Sequence, residues 1–287
     1  MSLYVLLLVL IAAFLHAFWN LLSKKAKGKA PFIWLIYVAS NLLYLPVVLF
    51  QNYKGNINYT LPLLWFSLSS SVLHLGYYLV LQKGYRSADL SVVYPLARGS
   101  GPLFSSIAAI LFLHEQLRIS ATIGLFLIIA GVLLITGLSF KKENNLKIMT
   151  GIYYGVLTGF FIALYTLNDT IAIKSYAVSP LALTQATFLF GVIMLFPFIA
   201  KEKQELKREI SQHKWIILAV GLLSPAAYIL VLEALKYAPL TVVAPARETS
   251  ILLGVFMGSK VLNEEDGKRR LIASLLILGG IVSLSLS

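Results

Sequence analysis

The stretch Ser91-Val92-Val93-Tyr94-Pro95-Leu96-Ala97-Arg98 returns in the second half of the chain as Thr241-Val242-Val243-Ala244-Pro245-Ala246-Arg247. Around it, Ala88, Leu90, Val92, Val93 and Pro95 match Ala238, Leu240, Val242, Val243 and Pro245 at an offset of 150, and Tyr78 matches Tyr228 in the same frame. One residue drops out after Pro95 and the offset becomes 149. Arg98 then pairs with Arg247, Leu113 with Leu262, Glu115 with Glu264, Ile123 with Ile272, Ile128 with Ile277, and Gly131 with Gly280. Coincidences among apolar residues are common, but a shared Pro, Arg, Glu and Gly in one frame are not. The chain therefore reads as two copies of one unit, residues 1–140 and 148–287.

The medium follows from composition. Of the 287 residues 59% are hydrophobic and 13% charged, with a mean hydropathy of +0.83. A water-soluble chain carries roughly 25% charge and about 45–50% apolar residues. Such a shortage of charge excludes a water-soluble enzyme, a disordered chain and a nucleic-acid binder, because too much apolar surface would face water. The net charge of +12 is not a nucleic-acid footprint, since the basic residues sit in short breaks between apolar runs. Cysteine is absent, which removes disulfides and thiolate metal sites. The four histidines, at 16, 74, 114 and 213, fall on four separate segments, so neither a metal cluster nor a cofactor is expected.

A bilayer-crossing helix needs about 20 mostly apolar residues. Ten runs qualify, over about 3–23, 32–50, 61–82, 89–112, 120–138, 149–169, 180–200, 214–235, 240–261 and 270–286. Barrel-type alternation is absent, so the expected fold is an all-α membrane protein of ten transmembrane helices. Residues 1–10 carry no basic n-region, and the first run is expected to be a retained helix. Trp34, Trp65 and Trp215 lie near span starts, where an aromatic belt is expected.

Each copy holds five spans, and an odd number turns the second copy upside down. The result is a pair of inverted five-helix repeats, an architecture that puts a substrate site near the midplane between the halves. The loops after spans 1, 3, 5, 7 and 9 carry eighteen Lys and Arg residues against four on the other side. This Lys-rich face is expected to be cytoplasmic, with both termini outside, in a multi-pass protein of the cytoplasmic membrane.

Arg98 and Arg247 stand about 8–9 residues into spans 4 and 9, roughly 12 Å deep. A central Arg costs about 2.5–3.5 kcal/mol on insertion scales, so two in matched positions need a reason. One reading is an anion clamp for a carboxylate or phosphate. The other is an ion pair in which Glu248 balances one Arg and backbone carbonyls the other; a pair that exchanges partners would be a gate. Pro95 and Pro102, with Gly99 and Gly101, make span 4 a candidate for a kinked or interrupted helix.

Further polar candidates lie on other spans. His16, Trp19 and Asn20 are on span 1, with His16 and Asn20 spaced to share a face. His74, Tyr77 and Tyr78 are on span 3, and Tyr94 and Tyr228 on spans 4 and 8; their rings either line a cavity or pack the bundle. Tyr165, Asn168 and Asp169 form a set on span 6, with Asp169 read as a proton or substrate site or as an interfacial acid. Gly151, Gly155 and Gly159 read as close helix packing.

A Gly-rich phosphate loop, His-Glu-x-x-His and Gly-x-Ser-x-Gly are all missing from the sequence. Two main function classes remain, with a non-transporting membrane scaffold as a third that the matched Arg residues disfavour. One is a carrier of a small anionic or zwitterionic metabolite, with the lipid bilayer as its surroundings, a homodimer as candidate assembly and no nucleic-acid partner. The other is an intramembrane enzyme acting on a lipid-linked substrate, with Glu248, Asp169 or His74 as acid or base.

The layout resembles the EamA-type branch of the drug/metabolite transporter superfamily over the whole chain. The segments that carry the resemblance are His16-Ala17-Phe18-Trp19-Asn20 with Lys24-Lys25, Tyr94-Pro95-Leu96-Ala97-Arg98-Gly99, and Leu113-His114-Glu115 followed by Gly131. In the second half they are Tyr165-Thr166-Leu167-Asn168-Asp169 and Leu262-Asn263-Glu264 followed by Gly279-Gly280. The resemblance implies a secondary carrier of small metabolites, often an exporter, with a central cavity lined by spans 1, 3, 4, 6, 8 and 9. It also implies cytoplasmic termini, the reverse of the loop-charge reading.

Overall fold

A computed structural model describes residues 3–113, 119–136, 142–238, 243, 247, 250–262 and 267–285. Among the described residues the regular structure is helical: α1 (Leu3–Ala26), α2 (Ala30–Tyr53), α3 (Leu61–Ser87), α4 (Leu90–Leu113), α5 (Ile119–Thr136), α6 (Lys142–Tyr176), α7 (Pro180–Ile199), α8 (Lys203–Tyr237), α9 (Ser250–Val261) and α10 (Gly267–Ser285). Six of them, α1, α2, α3, α6, α7 and α8, are long and apolar enough to cross a membrane, and α9 is a shorter apolar helix.

The helices start and stop where local chemistry dictates. Proline stands in the first turn of α2, α3 and α7, where its missing N–H breaks no bond. Thr60 caps α3 by accepting the amide of Leu63. α8 begins with a charged segment, Lys203 to Gln212, and leaves helical geometry at His213 (φ −127°, ψ 15°) before its apolar run starts.

The internal repeat is visible in the backbone. α1 and α6 end at Ala26 and Tyr176, α2 and α7 begin at Ala30 and Pro180, and α3 and α8 end at Ser87 and Tyr237. Each pair is 150 residues apart. Lys27 and Ala177, one step past α1 and α6, share the left-handed φ of 51°.

Packing obeys the same correspondence. α3 packs on α6 and α8 on α1; α2 on α8 and α7 on α3; α4 on α6 and α9 on α1. Exchanging the copies maps each contact onto its mate, as a two-fold axis requires. α5 and α10 meet on themselves under that exchange. Gly131 and Gly280, the paired glycines, sit at this crossing: a Cβ on Gly131 would lie 2.7 Å from the Ala273 carbonyl, and one on Gly280 2.6 Å from that of Gly124.

Burial is inverted relative to a water-soluble bundle. On α1, Leu7, Ile11, Phe14 and Phe18 face outward, while His16, Trp19, Asn20 and Ser23 are buried. On α3, Ser67, Ser70, Ser71, His74 and Gln82 point inward, and Leu64, Trp65, Val72 and Leu79 outward. Lipid accepts apolar side chains as readily as a protein core does, so the polar groups are the ones that must find partners. Pro225 in α8 illustrates this. It removes the amide that would bond the Gly221 carbonyl, and that carbonyl instead accepts the hydroxyl of Ser40 on α2 at 2.8 Å.

One expectation needs correction. α4 runs as one helix from Leu90 to Leu113 through Pro95 and Pro102, so it is not interrupted. The close approach of α6 supports it there: a Cβ on Gly155 would stand 3.1 Å from the Val93 carbonyl, and one on Gly159 2.8 Å from that of Ala97. Trp65 and Trp215 are exposed, and the half-buried Trp34 donates its indole N–H to the Val192 carbonyl of α7 at 3.0 Å.

Candidate functional site

The inward polar side chains of α1 and α3 form a continuous set. Asn20 donates its amide to the His16 carbonyl at 2.6 Å and accepts the hydroxyl of Tyr85. One turn on, the Lys24 ammonium donates to the Tyr85 carbonyl at 2.6 Å and to the carbonyl of Ala88, closing the C-terminal end of α3.

Trp19 decides the state of His16. Its indole N–H donates to His16 Nδ1 at 3.1 Å. Indole nitrogen only donates, so Nδ1 accepts and the neutral ring carries its proton on Nε2. That Nε2 is buried and has no hydrogen-bond partner among the described residues. Arg98 and Arg247, one from each copy, are buried at 4% and 3% exposure, and both act electrostatically on this imidazole. Both arginines thus lie inside the bundle. Tyr94, a turn from Arg98, is buried with its ring against Gly254 of α9.

A second centre lies around Asp169, which is 1% exposed. Its Oδ2 accepts the hydroxyls of Tyr228 at 2.6 Å and Ser70 at 3.0 Å, and its Oδ1 accepts the Asn168 amide at 2.8 Å. None of the ion pairs among the described residues includes Asp169. Ser70 also lies 3.0 Å from His74 Nδ1. A hydroxyl has one hydrogen, so while Ser70 donates to Asp169 it must accept from His74. Asn168 is anchored by the Phe66 carbonyl and the Ser69 hydroxyl, toward the outside of the bundle. It supports Asp169 from the rim.

Aromatic rings join the two centres. His74 stacks on Tyr165 with centroids 4.1 Å apart, and Tyr228 meets both edge-on at 5.3 and 5.6 Å. Tyr77 links Tyr165 to Tyr78, and Tyr78 lies 5.6 Å from Trp19.

The repeat frame explains the arrangement. Tyr78 and Tyr228 are mates, and at the same offset His74 is the mate of Ser224 and Trp19 of Asp169. Tyr78 hydrogen-bonds Ser224 and packs near Trp19; Tyr228 packs near His74 and hydrogen-bonds Asp169. The fold puts the same tyrosine in both places, and sequence divergence makes one surround aromatic and the other acidic.

A family model described as the EamA-like transporter family matches residues 3–137 and again 149–286. The chain belongs to the EamA-like transporter family. Nothing among curated proteins matches it. A solved crystal structure shares the EamA chain's fold with a TM-score of 0.62 at 14% identity, over 98% of this chain and 97% of the other. The EamA chain is thus a multi-pass membrane protein of a transporter family.

Of the sequence-predicted residues, His16, Trp19, Asn20, Tyr78, Arg98 and Arg247 gather at the first centre, and His74, Tyr165, Asn168, Asp169 and Tyr228 at the second. Glu248 lies outside the described residues. Tyr77, named with His74 and Tyr78, bridges the two centres, and Ser70, Tyr85 and Ser224 complete the network. The hydroxyls carry no sequence signal, because Ser and Thr in such helices ordinarily bond their own preceding turn, as Ser100 and Thr170 do here.

Proposed function

We propose that this EamA-family chain is a secondary carrier that moves a small zwitterionic metabolite across the cytoplasmic membrane by alternating access. Its anionic group would be received by Arg98, Arg247 and the His16 Nε2–H, and its ammonium group by Asp169. The body between them would lie against Trp19, Tyr78, Tyr165 and Tyr228. The observation that carries this reading is the His16 imidazole: a buried N–H with no hydrogen-bond partner among the described residues, with two buried arginines from opposite copies acting on it, is a donor set for an anion.

The acidic pole suits coupling. Asp169 accepts three hydrogen bonds and lacks an ion-pair partner among the described residues, so a substrate ammonium and a proton compete for one carboxylate. Binding one and releasing the other makes the cycle an exchange, in the export direction implied by the resemblance.

The test is a stabilisation screen of the purified protein across amino acids, other zwitterions, carboxylates, phosphates and amines. A ligand at a hundredfold excess over its Kd stabilises by about 2.7 kcal/mol. Zwitterions are expected to stabilise most, and Arg98→Ala and Arg247→Ala to abolish that stabilisation and vesicle transport while the protein still inserts. Normal transport by both variants removes the clamp.

A further inference from the structure

The basic residues at the Lys-rich end of the bundle are not all solvated topology signals. Asp89, in the turn between α3 and α4, holds Lys147 of α6 at 2.7 Å on Oδ1 and Arg270 of α10 at 2.9 Å on Oδ2. Arg270 is 4% exposed and also donates to Ser91 Oγ. One carboxylate therefore ties the start of α4, in the first copy, to α6 and α10, in the second.

Asp89 is mechanically part of α4. Its backbone carbonyl accepts the amides of Val92 and Val93, which begin the helix. Arg98 is nine residues further along the same helix, roughly 13 Å away at 1.5 Å per residue. A displacement of α4 at the anion-binding centre is thus transmitted to the ion pairs at its end. Between the two, α3 presents Tyr78, Gln82 and Tyr85 on one inward face, all buried, and the Gln82 amide has no hydrogen-bond partner among the described residues.

Asp89 and Arg270 have no charged equivalents in the other copy. In the repeat frame Pro239 takes the place of Asp89 and Ala121 that of Arg270. Neither side chain carries charge. Inverted repeats otherwise give two states of nearly equal energy, so ion pairs that join the copies here, with uncharged residues at the matched positions 239 and 121, bias the pair.

We propose that Asp89, Lys147 and Arg270 form a one-sided latch that holds the Lys-rich face closed and that breaks when this face opens. The proposal rests on the carrier reading above, and its experiment is separable from it. The natural chain has no cysteine, so one introduced thiol reports alone. Gln82→Cys probes the path to the Lys-rich end; Ser67→Cys, buried on α3 near its other end, probes the opposite path. Each is labelled in lipid nanodiscs with a charged methanethiosulfonate reagent, in the natural background and with Asp89→Asn or Lys147→Gln. Lys147 is half exposed, so its replacement leaves packing intact even where Asp89→Asn folds poorly.

Losing one charged hydrogen bond shifts such an equilibrium about tenfold or more. Labelling at position 82 is expected to accelerate by about that factor in Asp89→Asn and less in Lys147→Gln, while labelling at position 67 slows, because opening one face closes the other. Acceleration at both positions means that Asp89 only tightens packing, and unchanged rates at both mean that there is no latch; either overturns the proposal. Opposite shifts at the two positions in a protein that transports none of the screened metabolites leave the latch standing and remove the carrier reading. Zwitterion transport with unchanged labelling does the reverse.

Discussion

Tyr228 donates its hydroxyl to Oδ2 of Asp169 at 2.6 Å, while its repeat mate Tyr78 bonds Ser224. Symmetric placement with unequal partners is what gives the interior two chemical poles. A hydrogen bond to an ionised acceptor is worth about 1.5–3 kcal/mol, roughly twice a neutral one. Tyr228→Phe is therefore expected to destabilise the chain by about 1.5 kcal/mol or more. In an Asp169→Asn background it should cost about half as much. Unfolding in mixed micelles measures the cycle, and equal losses in both backgrounds would argue that Asp169 is uncharged in the resting protein.

Trp19→Phe keeps an aromatic ring near Tyr78 but removes the N–H that holds the proton of His16 on Nε2. Zwitterion affinity is expected to fall about tenfold, the worth of one charge-assisted hydrogen bond, with little change in thermal stability. Ligand-dependent melting separates the two effects. An unchanged affinity would mean that His16 does not touch the anion.

The contact of α4 with α6 tolerates no side chain at Gly159, where a Cβ would stand 2.8 Å from the Ala97 carbonyl. Gly159→Val is expected to cost about 2–3 kcal/mol through overpacking and to lower the yield of folded protein. Gly55→Ala, in a turn with open space around it but a φ of 71°, should cost about 1 kcal/mol by strain alone. Comparing folded yields by size-exclusion chromatography checks both.

Ser40 matters only because Pro225 leaves the Gly221 carbonyl without its helical partner. Ser40→Ala is expected to destabilise by about 1 kcal/mol, and by much less when combined with Pro225→Ala, which restores the amide. Additive losses in this cycle would show that the hydroxyl serves something other than the freed carbonyl.

Burial pushes the Asp89 carboxyl up, but hydrogen bonds and charge from Lys147 and Arg270 outweigh it and hold the group below its ordinary 3.8. A carboxylate lowered in this way stabilises its closed arrangement above the ordinary value, and the stabilisation is lost as pH falls through the lowered one. Labelling at Gln82→Cys, read with a pH-insensitive reagent, should be flat from neutral pH down to about 4 and accelerate only below it. Acceleration beginning near pH 6 would implicate a different group.

Much of the fold could be read directly. A bilayer imposes a fixed thickness and rejects unpaired backbone groups, so length and hydropathy mark membrane-crossing helices, six of which are found among the described residues; the frame of Pro95, Arg98, Glu115 and Gly131 marks the repeat. Arg98, Arg247 and Asp169 stand out because a charge in an apolar run demands a reason. Asp89 and Arg270 did not stand out, because in a linear reading they are loop charges like their neighbours. Which of them reach across to another helix depends on where three chain segments far apart in sequence come together.

The sequence by itself determined the medium, the helical class and the duplication, since each follows from local composition acting against a uniform solvent. Only the tertiary structure decided that Ser70 of α3 reaches Asp169 of α6 and that matched tyrosines meet unmatched partners. Those relations are distances between helices, and in a membrane such distances are set by which small and polar side chains let two backbones approach, a property of pairs that no single stretch of sequence contains.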